Sequence, residues 1–411
     1  MSRVLVPPAR SPAWIAGGAL LTGATTYLML VVVGRALGTE AYGSFSLFWS
    51  AILISSFGLF LPVEQVVARR QAGRPASRQL RSSATWLAVT LAAVTVVLVA
   101  VAGTLAPSST TVSSTSVVAF AVAVCGLAIQ FPARGVLAGI HSMRGYAAII
   151  TIDALTRFVL VVGLALGGLE SVGPYALVIG GTAFLAGLTG MALCRSHDSD
   201  EAAPTDHLGR ETAGLSTAML CMQLLVNSPM LIAGFVSKDA AVAGQLLALT
   251  TVARLSVFVA QAGQAAYVGR IAAATYAGDH ATRRRLVRLV ALVIGAVAAV
   301  TFAGMAVLGP PVIRIVYGSD FRVDRFECAL IGAGIAVYLI ASVANDLSVA
   351  LELHRRAGAF WLVGTAVAAA LVAVIDDTML RSSVPLLVGS AIAAVLTLRT
   401  LAVTRSSRME P

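Results

Sequence analysis

The stretch at residues 147–167, AAIITIDALTRFVLVVGLALG, is an apolar run that holds one acid, Asp153, and one base, Arg157. A helix of about 20 apolar residues crosses the hydrocarbon core of a bilayer, so this run predicts a membrane-spanning helix. An arginine near the bilayer centre costs roughly 2.5–3.5 kcal/mol on insertion scales, and therefore normally faces a bundle interior or a wet cavity. The run predicts a membrane fold with a polar position inside it.

Apolar runs of this kind recur along the whole chain of 411 residues, of which 58% are hydrophobic and only 12% charged. This composition excludes a soluble domain with a single anchor. The alternating pattern of a membrane barrel is absent, so the spans are helices. We predict an all-α integral membrane protein with about twelve transmembrane helices, at residues 13–34, 44–67, 83–105, 115–139, 147–167, 173–194, 214–236, 241–267, 287–309, 326–350, 359–375 and 384–403.

The distribution of positive charge predicts the topology. Of the 29 Lys and Arg residues, 19 lie in the two tails and the even-numbered loops, six in the odd-numbered loops and four inside the spans. This is the positive-inside pattern, which places both termini in the cytoplasm of a multi-pass protein of the cell membrane. It also accounts for the net charge of +10 without a nucleic-acid partner.

Short matches between the two halves of the chain indicate a duplicated unit of six helices. Six is an even number, so the two copies insert with the same orientation, and parallel repeats of this kind place a binding site between them. We predict two pseudo-symmetric lobes around a central cavity: residues 1–194, a cytoplasmic linker at 195–213, and residues 214–411. The matched pairs are Gly43 with Gly244, Gly73 with Gly278, and His141 with His354.

Several classes of chemistry lack support in the sequence. The four cysteines are scattered and no Cys/His cluster exists, so we predict no metal and no cofactor. The predicted outer loops are short and carry no His/Asp/Glu cluster, so we do not expect an enzyme.

Adjacent prolines, Pro310 and Pro311, predict a break in the ninth span.

The arginines inside the spans are the main candidates for substrate binding. Arg157 lies about mid-span in the fifth helix and Arg254 about mid-span in the eighth, so each half supplies one cation to an anionic substrate. Asp153, four residues before Arg157, is placed to hold it when no substrate is bound. The alternatives are a structural Asp–Arg pair, and for Arg254 a bond to a carbonyl group.

A second set of polar residues shares the spans. Arg134 either binds substrate, reaches the membrane interface or pairs with Glu64. Glu64 and Asp346 are candidates for ion coupling. Three amides complete the predicted substrate-binding set, although hydrogen bonding between helices, worth about 0.6 kcal/mol each, is the alternative role; these are Gln223, Asn227 and Gln261.

The segment at residues 34–47, GRALGTEAYGSFSL, resembles the polysaccharide transporter family, the oligosaccharide and O-antigen flippases of the multidrug/oligosaccharidyl-lipid/polysaccharide exporter superfamily. That family often carries an R-x-L-G-x-x-x-Y-G turn after its first helix. Residues 135–139 and 315–321 are similar to later segments of the family. The resemblance implies two six-helix lobes around a cavity that opens alternately to each side.

The resemblance also implies a function. The expected substrate is a polyprenyl-pyrophosphate-linked oligosaccharide, flipped from the inner to the outer leaflet, with glycan-polymerising enzymes as further candidate partners. Anionic inner-leaflet lipids are expected at the basic stretches 69–81 and 281–288. The alternative is an ion-coupled small-molecule (drug) exporter of the same superfamily, and a membrane-embedded polysaccharide polymerase is the weaker third alternative.

Overall fold

The computed structural model describes residues 13–105, 114–199, 205–237, 239–351 and 357–407, and these are almost entirely helical. The helices are α1 (Ala13–Leu53), α2 (Leu61–Gln71), α3 (Arg78–Leu105), α4 (Ser114–Gly139), α5 (Met143–Leu166), α6 (Val172–Arg195), α7 (Leu208–Val236), α8 (Ala240–Ala253), α9 (Leu255–Tyr276), α10 (His280–Tyr317), α11 (Arg325–Ala350), α12 (Ala357–Val374) and α13 (Thr378–Ser407). A π-helical segment, Ile54–Phe60, joins α1 to α2.

The predicted all-α fold with about twelve spans is confirmed. Within the described residues, ten helical stretches are long and apolar enough to cross a membrane, and a shorter apolar helix covers Gly358–Val374. One of the ten, Ala16–Gln71, contains the first two predicted spans. These spans are separated at Gly38, whose φ of 69° and ψ of 178° interrupt the helical path at a single residue. Glycine tolerates this left-handed φ because it has no Cβ.

The eighth span contains α8 and α9, and the helical path continues through Arg254, whose backbone N–H donates to Thr250 and whose carbonyl accepts from Phe258. One detail of the helices differs from the prediction. The predicted break at Pro310–Pro311 is wrong, because α10 continues to Tyr317. Prolines are tolerated inside membrane helices, since neighbouring groups and small local adjustments satisfy the carbonyls that they leave free.

A short pairing of extended backbone links two loops. β1 (Ala76–Ser77) lies parallel to β2 (Asp198–Ser199). The hydroxyl of Ser199 donates to the carbonyl of Ala76 at 3.1 Å. This pairing holds the segment before α3 beside the segment after α6.

The helices pack into two compact units. Unit 1 consists of the residues up to Leu37 together with Phe48–Ser216, and unit 2 of Gly38–Leu47 together with the residues from Thr217 onward. The middle of α1 therefore packs with unit 2, although its two ends pack with unit 1. The lobe boundaries expected from the sequence remain a prediction.

In unit 1, small residues allow α4 and α6 to approach closely. A Cβ on Gly180 would lie 2.5 Å from the carbonyl oxygen of Ala119, and one on Gly187 would lie 2.6 Å from that of Gly126. Small residues at such crossings permit the backbone contact on which membrane helices depend for packing. A buried cluster that includes Val63, Val67 and Val136 continues this core beside α2.

In unit 2, an aromatic cluster joins α1 to the end of α10. The ring of Tyr42 lies 5.8 Å, between centroids, from each of Phe45, Tyr317 and Phe321. These rings are almost completely buried. Aromatic pairs at this spacing contribute about 0.5–1.5 kcal/mol beyond their buried area. The segment Gly38–Leu47, which carries the family-like turn, is thereby fixed within unit 2.

Candidate functional site

Arg157 in α5 is buried in unit 1 and has polar neighbours on two helices. Its Nη1 lies 3.3 Å from Oδ2 of Asp153, one helical turn earlier. Its Nη2 donates to the hydroxyl of Thr26 at 3.3 Å, and the guanidinium lies 6.0 Å from the ring centroid of Trp49. The side chain thus combines an ion pair, a hydroxyl contact and an aromatic neighbour.

Arg134 in α4 belongs to a second group, which brings α2, α4 and α5 together. Its Nε lies 3.0 Å from a carboxylate oxygen of Glu64, and its Nη2 donates to the hydroxyl of Tyr146 at 2.6 Å. That hydroxyl in turn donates to the other oxygen of Glu64 at 2.8 Å. The guanidinium also packs 4.5 Å from the ring centroid of Phe131. The Glu64–Arg134 ion pair that the sequence suggested is therefore present.

Each of these two groups in unit 1 is balanced in formal charge. Arg134 is paired with Glu64, and Arg157 with Asp153. A buried charge is costly unless it is paired, so this arrangement keeps all four groups inside the bundle without a net charge.

The predicted residues of unit 2 divide between two places. Asn227 donates its amide to the carbonyl of Gln223 at 2.8 Å and is completely buried. This is a contact within α7, one turn apart. Gln261 lies in α9, is exposed, and is not part of the Gln223–Asn227 pair.

Asp346 in α11 has a neutral donor at its carboxylate. The hydroxyl of Tyr267 donates to Oδ2 of Asp346 at 2.9 Å. Within the part of the chain that the structure describes, no Lys or Arg lies within 4 Å of it. Tyr338, from the same helix, lies close enough to interact with the charges of both Asp346 and Arg254.

Arg254 lies between α8 and α9 in helical conformation, with φ of −68° and ψ of −11°. Arg157 belongs to unit 1 and Arg254 to unit 2. The cationic clamp made of these two residues remains a prediction.

Sequence reasoning did not identify the tyrosines of these groups. Tyr146 hydrogen-bonds the buried carboxylate of Glu64, and Tyr267 hydrogen-bonds the half-buried carboxylate of Asp346. Both lie near the end of a predicted span, where a tyrosine is expected at the membrane interface. The sequence does not predict their hydrogen bonds to carboxylates, because these depend on contacts between helices.

Metal ligands are not clustered in the described ranges, which contain no group of three or more His, Cys, Asp or Glu side chains. The four cysteines are not joined in disulfides, and three of them are buried.

Relatives in sequence are distant. No family model matches the chain. Three uncharacterised mycobacterial proteins, one from Mycobacterium bovis and two from Mycobacterium tuberculosis, are each 24% identical to it over 273 residues. That alignment covers 66% of this chain and 62% of each relative, so less than two thirds of their length is matched.

Solved structures match far more of the chain. A multidrug resistance MATE family transporter of the MOP superfamily, in an inward-facing conformation, superposes with a TM-score of 0.72 at 13% identity, over 96% of this chain and all of that one. A eukaryotic MATE transporter gives a TM-score of 0.66 at 14% identity, over 95% and 94%.

A third similar structure is a MOP superfamily transporter from Pyrococcus furiosus, with a TM-score of 0.66 at 13% identity, over 97% and 96%; its description reports a binding pocket of reversed polarity and suggests a different function. The chain is a multi-pass membrane protein with the fold of the MOP superfamily transporters.

Proposed function

We propose that this protein is an ion-coupled exporter of small organic molecules that works by alternating access. The fold supports transport, because the similar structures are transporters rather than enzymes. The observation that carries the choice of substrate is the charge balance of the buried groups. Arg134 and Arg157 already have carboxylates at 3.0 and 3.3 Å, whereas Asp346 has a neutral hydrogen-bond donor, Tyr267.

This difference favours Asp346 over Glu64 for the proposed coupling role. A buried carboxylate without a counter-charge is stabilised by binding a proton or a cation. Glu64 already has its cation in Arg134, so taking up a second one would break an existing ion pair. Asp346 can exchange a proton for a cationic substrate without that cost. The hydrogen bond from Tyr267 fixes the orientation of its carboxylate during the exchange.

The test is transport by everted membrane vesicles that contain the full chain. Ethidium serves as the fluorescent cationic substrate, and acridine orange reports dissipation of the pH gradient. Asp346→Asn removes the titratable proton but keeps the shape, so we expect it to abolish both signals. Asp376→Asn, at an exposed acid in the same unit, is the control and should behave as the unmodified protein. Normal proton-coupled efflux by the Asp346 variant would refute the assignment.

A second candidate function is the flipping of a lipid-linked oligosaccharide, and the surroundings of Arg157 favour it. A guanidinium, a hydroxyl and an aromatic face are the groups that bind phosphate and sugar. The Asp153–Arg157 contact is single rather than two-pronged, and Oδ1 of Asp153 accepts no hydrogen bond among the described residues. A diphosphate could therefore replace Asp153 at moderate cost.

The two functions differ in a direct measurement. Proteoliposomes with a fluorescent polyprenyl-pyrophosphate oligosaccharide report flipping through the accessibility of the glycan to an external reagent. A flippase requires Arg157, so Arg157→Ala should lose this signal and Arg157→Lys should recover part of it. An exporter would show no flipping with the unmodified chain, while retaining ethidium transport.

A further inference from the structure

We propose that unit 1 binds the headgroup of an anionic glycerophospholipid in a pocket between α3, α4 and α6, with arginines at the start of α3 and the end of α6. This pocket contains none of the residues proposed above for coupling or for substrate binding. It would bind a resident membrane lipid rather than the transported molecule.

The pocket is a cavity of about 640 Å³. Three arginines line it: Arg78 and Arg81 from the first turn of α3, and Arg195 from the last residue of α6. The hydroxyl-bearing side chains Ser82 and Thr85 complete its polar wall. Arginine binds phosphate through a planar set of N–H donors, and hydroxyls supply further donors. Carboxylates are absent from the lining within the described part of the chain.

The backbone at this end of α3 also favours an anion. The helix begins at Arg78, directly after β1, and the hydroxyl oxygen of Ser77 accepts from the backbone N–H of Leu80 at 3.4 Å. The N-terminus of a helix carries a partial positive charge, and its remaining N–H groups point out of the first turn. The pairing of β1 with β2 fixes this turn near the end of α6.

The apolar wall beside the pocket indicates a lipid rather than a free phosphate. Trp86 lines the pocket and is 70% exposed, at a position typical of the belt of aromatic side chains at membrane interfaces. Beyond it, α3 exposes a row of apolar side chains for about 22 Å, the length of 15 helical residues; these include Val94, Val97, Leu98 and Val101. Acyl chains can follow this row while the headgroup occupies the pocket.

The charge pattern of the whole sequence gives the leaflet. The pocket arginines belong to the positively charged loops that predict the cytoplasmic side. The inner leaflet carries the anionic lipids that attract such residues. A basic stretch on a flat surface attracts these lipids without shape selection, whereas a cavity with three convergent arginines should hold one headgroup.

Native mass spectrometry of the full chain in detergent tests the proposal with added phosphatidylglycerol or phosphatidylcholine. We expect the unmodified protein to retain one molecule of phosphatidylglycerol in preference to phosphatidylcholine. Replacing Arg78, Arg81 and Arg195 together with Gln should weaken that retention by roughly a hundredfold. Thermal unfolding and size-exclusion profiles establish that the variant is folded.

A matched control removes the same charge elsewhere. Arg284, Arg285 and Arg288 are exposed in the first turns of α10, so their replacement with Gln should leave retention nearly unchanged. Ser82→Trp fills the pocket while every charge remains, and it should reduce retention of phosphatidylglycerol as well. Equal losses in the two triple variants would overturn the site, as would full retention by Ser82→Trp. Displacement of the lipid by millimolar inorganic phosphate would overturn the assignment to a lipid.

Discussion

Gly43 and Gly244, which the sequence repeat matches to one another, pack against each other's helices in a reciprocal contact within unit 2. A Cβ on Gly43 would overlap the carbonyl oxygen of Ala240, and one on Gly244 would overlap that of Thr39. Thr39 precedes Gly43 by four residues, as Ala240 precedes Gly244. Such an exchange of equivalent contacts is the property of a two-fold relationship. The crossing of these two segments is therefore locally two-fold, while the duplicated unit of six helices stays a prediction.

This contact predicts that Gly43→Ala and Gly244→Ala each destabilise the protein by at least about 2 kcal/mol, because the new methyl group meets backbone rather than a flexible side chain. Thermal unfolding of the purified protein in detergent measures the effect. Gly295→Ala in α10 is the matched control, since a Cβ there meets nothing within 4 Å. That variant should be neutral or slightly more stable. Equal behaviour of all three variants would contradict the close crossing.

The ion pair of Glu64 with Arg134 predicts strong coupling between two substitutions. Glu64→Gln leaves a buried guanidinium without its carboxylate, and Arg134→Met leaves the carboxylate without its guanidinium. Removal of one partner of a buried pair typically costs about 3–5 kcal/mol, whereas removal of both costs much less. A double-mutant cycle on the free energy of unfolding measures this. Additive losses would show that the two side chains do not depend on each other.

The topology predicts opposite labelling at the two ends of α10. The Arg284→Cys variant should react only with reagents that reach the cytoplasm, and the Ser319→Cys variant only with external reagents. The background needs Cys125→Ser, because Cys125 is exposed and the other three cysteines are buried. A membrane-impermeant maleimide on intact cells, with and without permeabilisation, gives the readout. Labelling of both positions from one side would disprove the span of α10.

Arg70 in α2 contacts the start of α7, and substitutions of Arg70 and of Glu211 should differ in how far they loosen it. Its side chain binds both carboxylate oxygens of Glu211, at 2.8 and 3.4 Å, and donates to the carbonyl of Asp206 at 2.6 Å. Glu211→Gln removes a partly exposed ion pair worth about 0.2–1 kcal/mol. Arg70→Ala also removes the carbonyl contact.

Tryptic cleavage after Arg210 under native conditions compares the two changes. We expect Arg70→Ala to accelerate cleavage more than Glu211→Gln, because local opening exposes the bond to the protease. Identical rates in the two variants would assign the whole effect to the ion pair.

The sequence predicted the helices well, because hydrocarbon imposes length and apolarity on every span. It does not predict the continuity of α10 through Pro310 and Pro311, because local rules overstate the effect of proline in a membrane helix.

The candidate site was predictable only in part. Charged residues in apolar spans are visible in a sequence, and the turn spacing of Asp153 and Arg157 predicts their contact. The hydrogen bonds of Tyr146 and Tyr267 to carboxylates depend on how separate helices pack. Residue spacing along one helix carries no information about that packing. The ion pair between Arg134 and Glu64 likewise joins two different helices, so it also depends on how those helices pack.

The assignment of Gly38–Leu47 to unit 2 has a practical consequence for anyone who divides the gene. A cut in the linker would leave these ten residues on the first fragment, although their packing partners lie on the second. Two co-expressed fragments should therefore interlock and be recovered together, while either one alone lacks part of its own core. Division of this protein at its midpoint does not yield two independent modules.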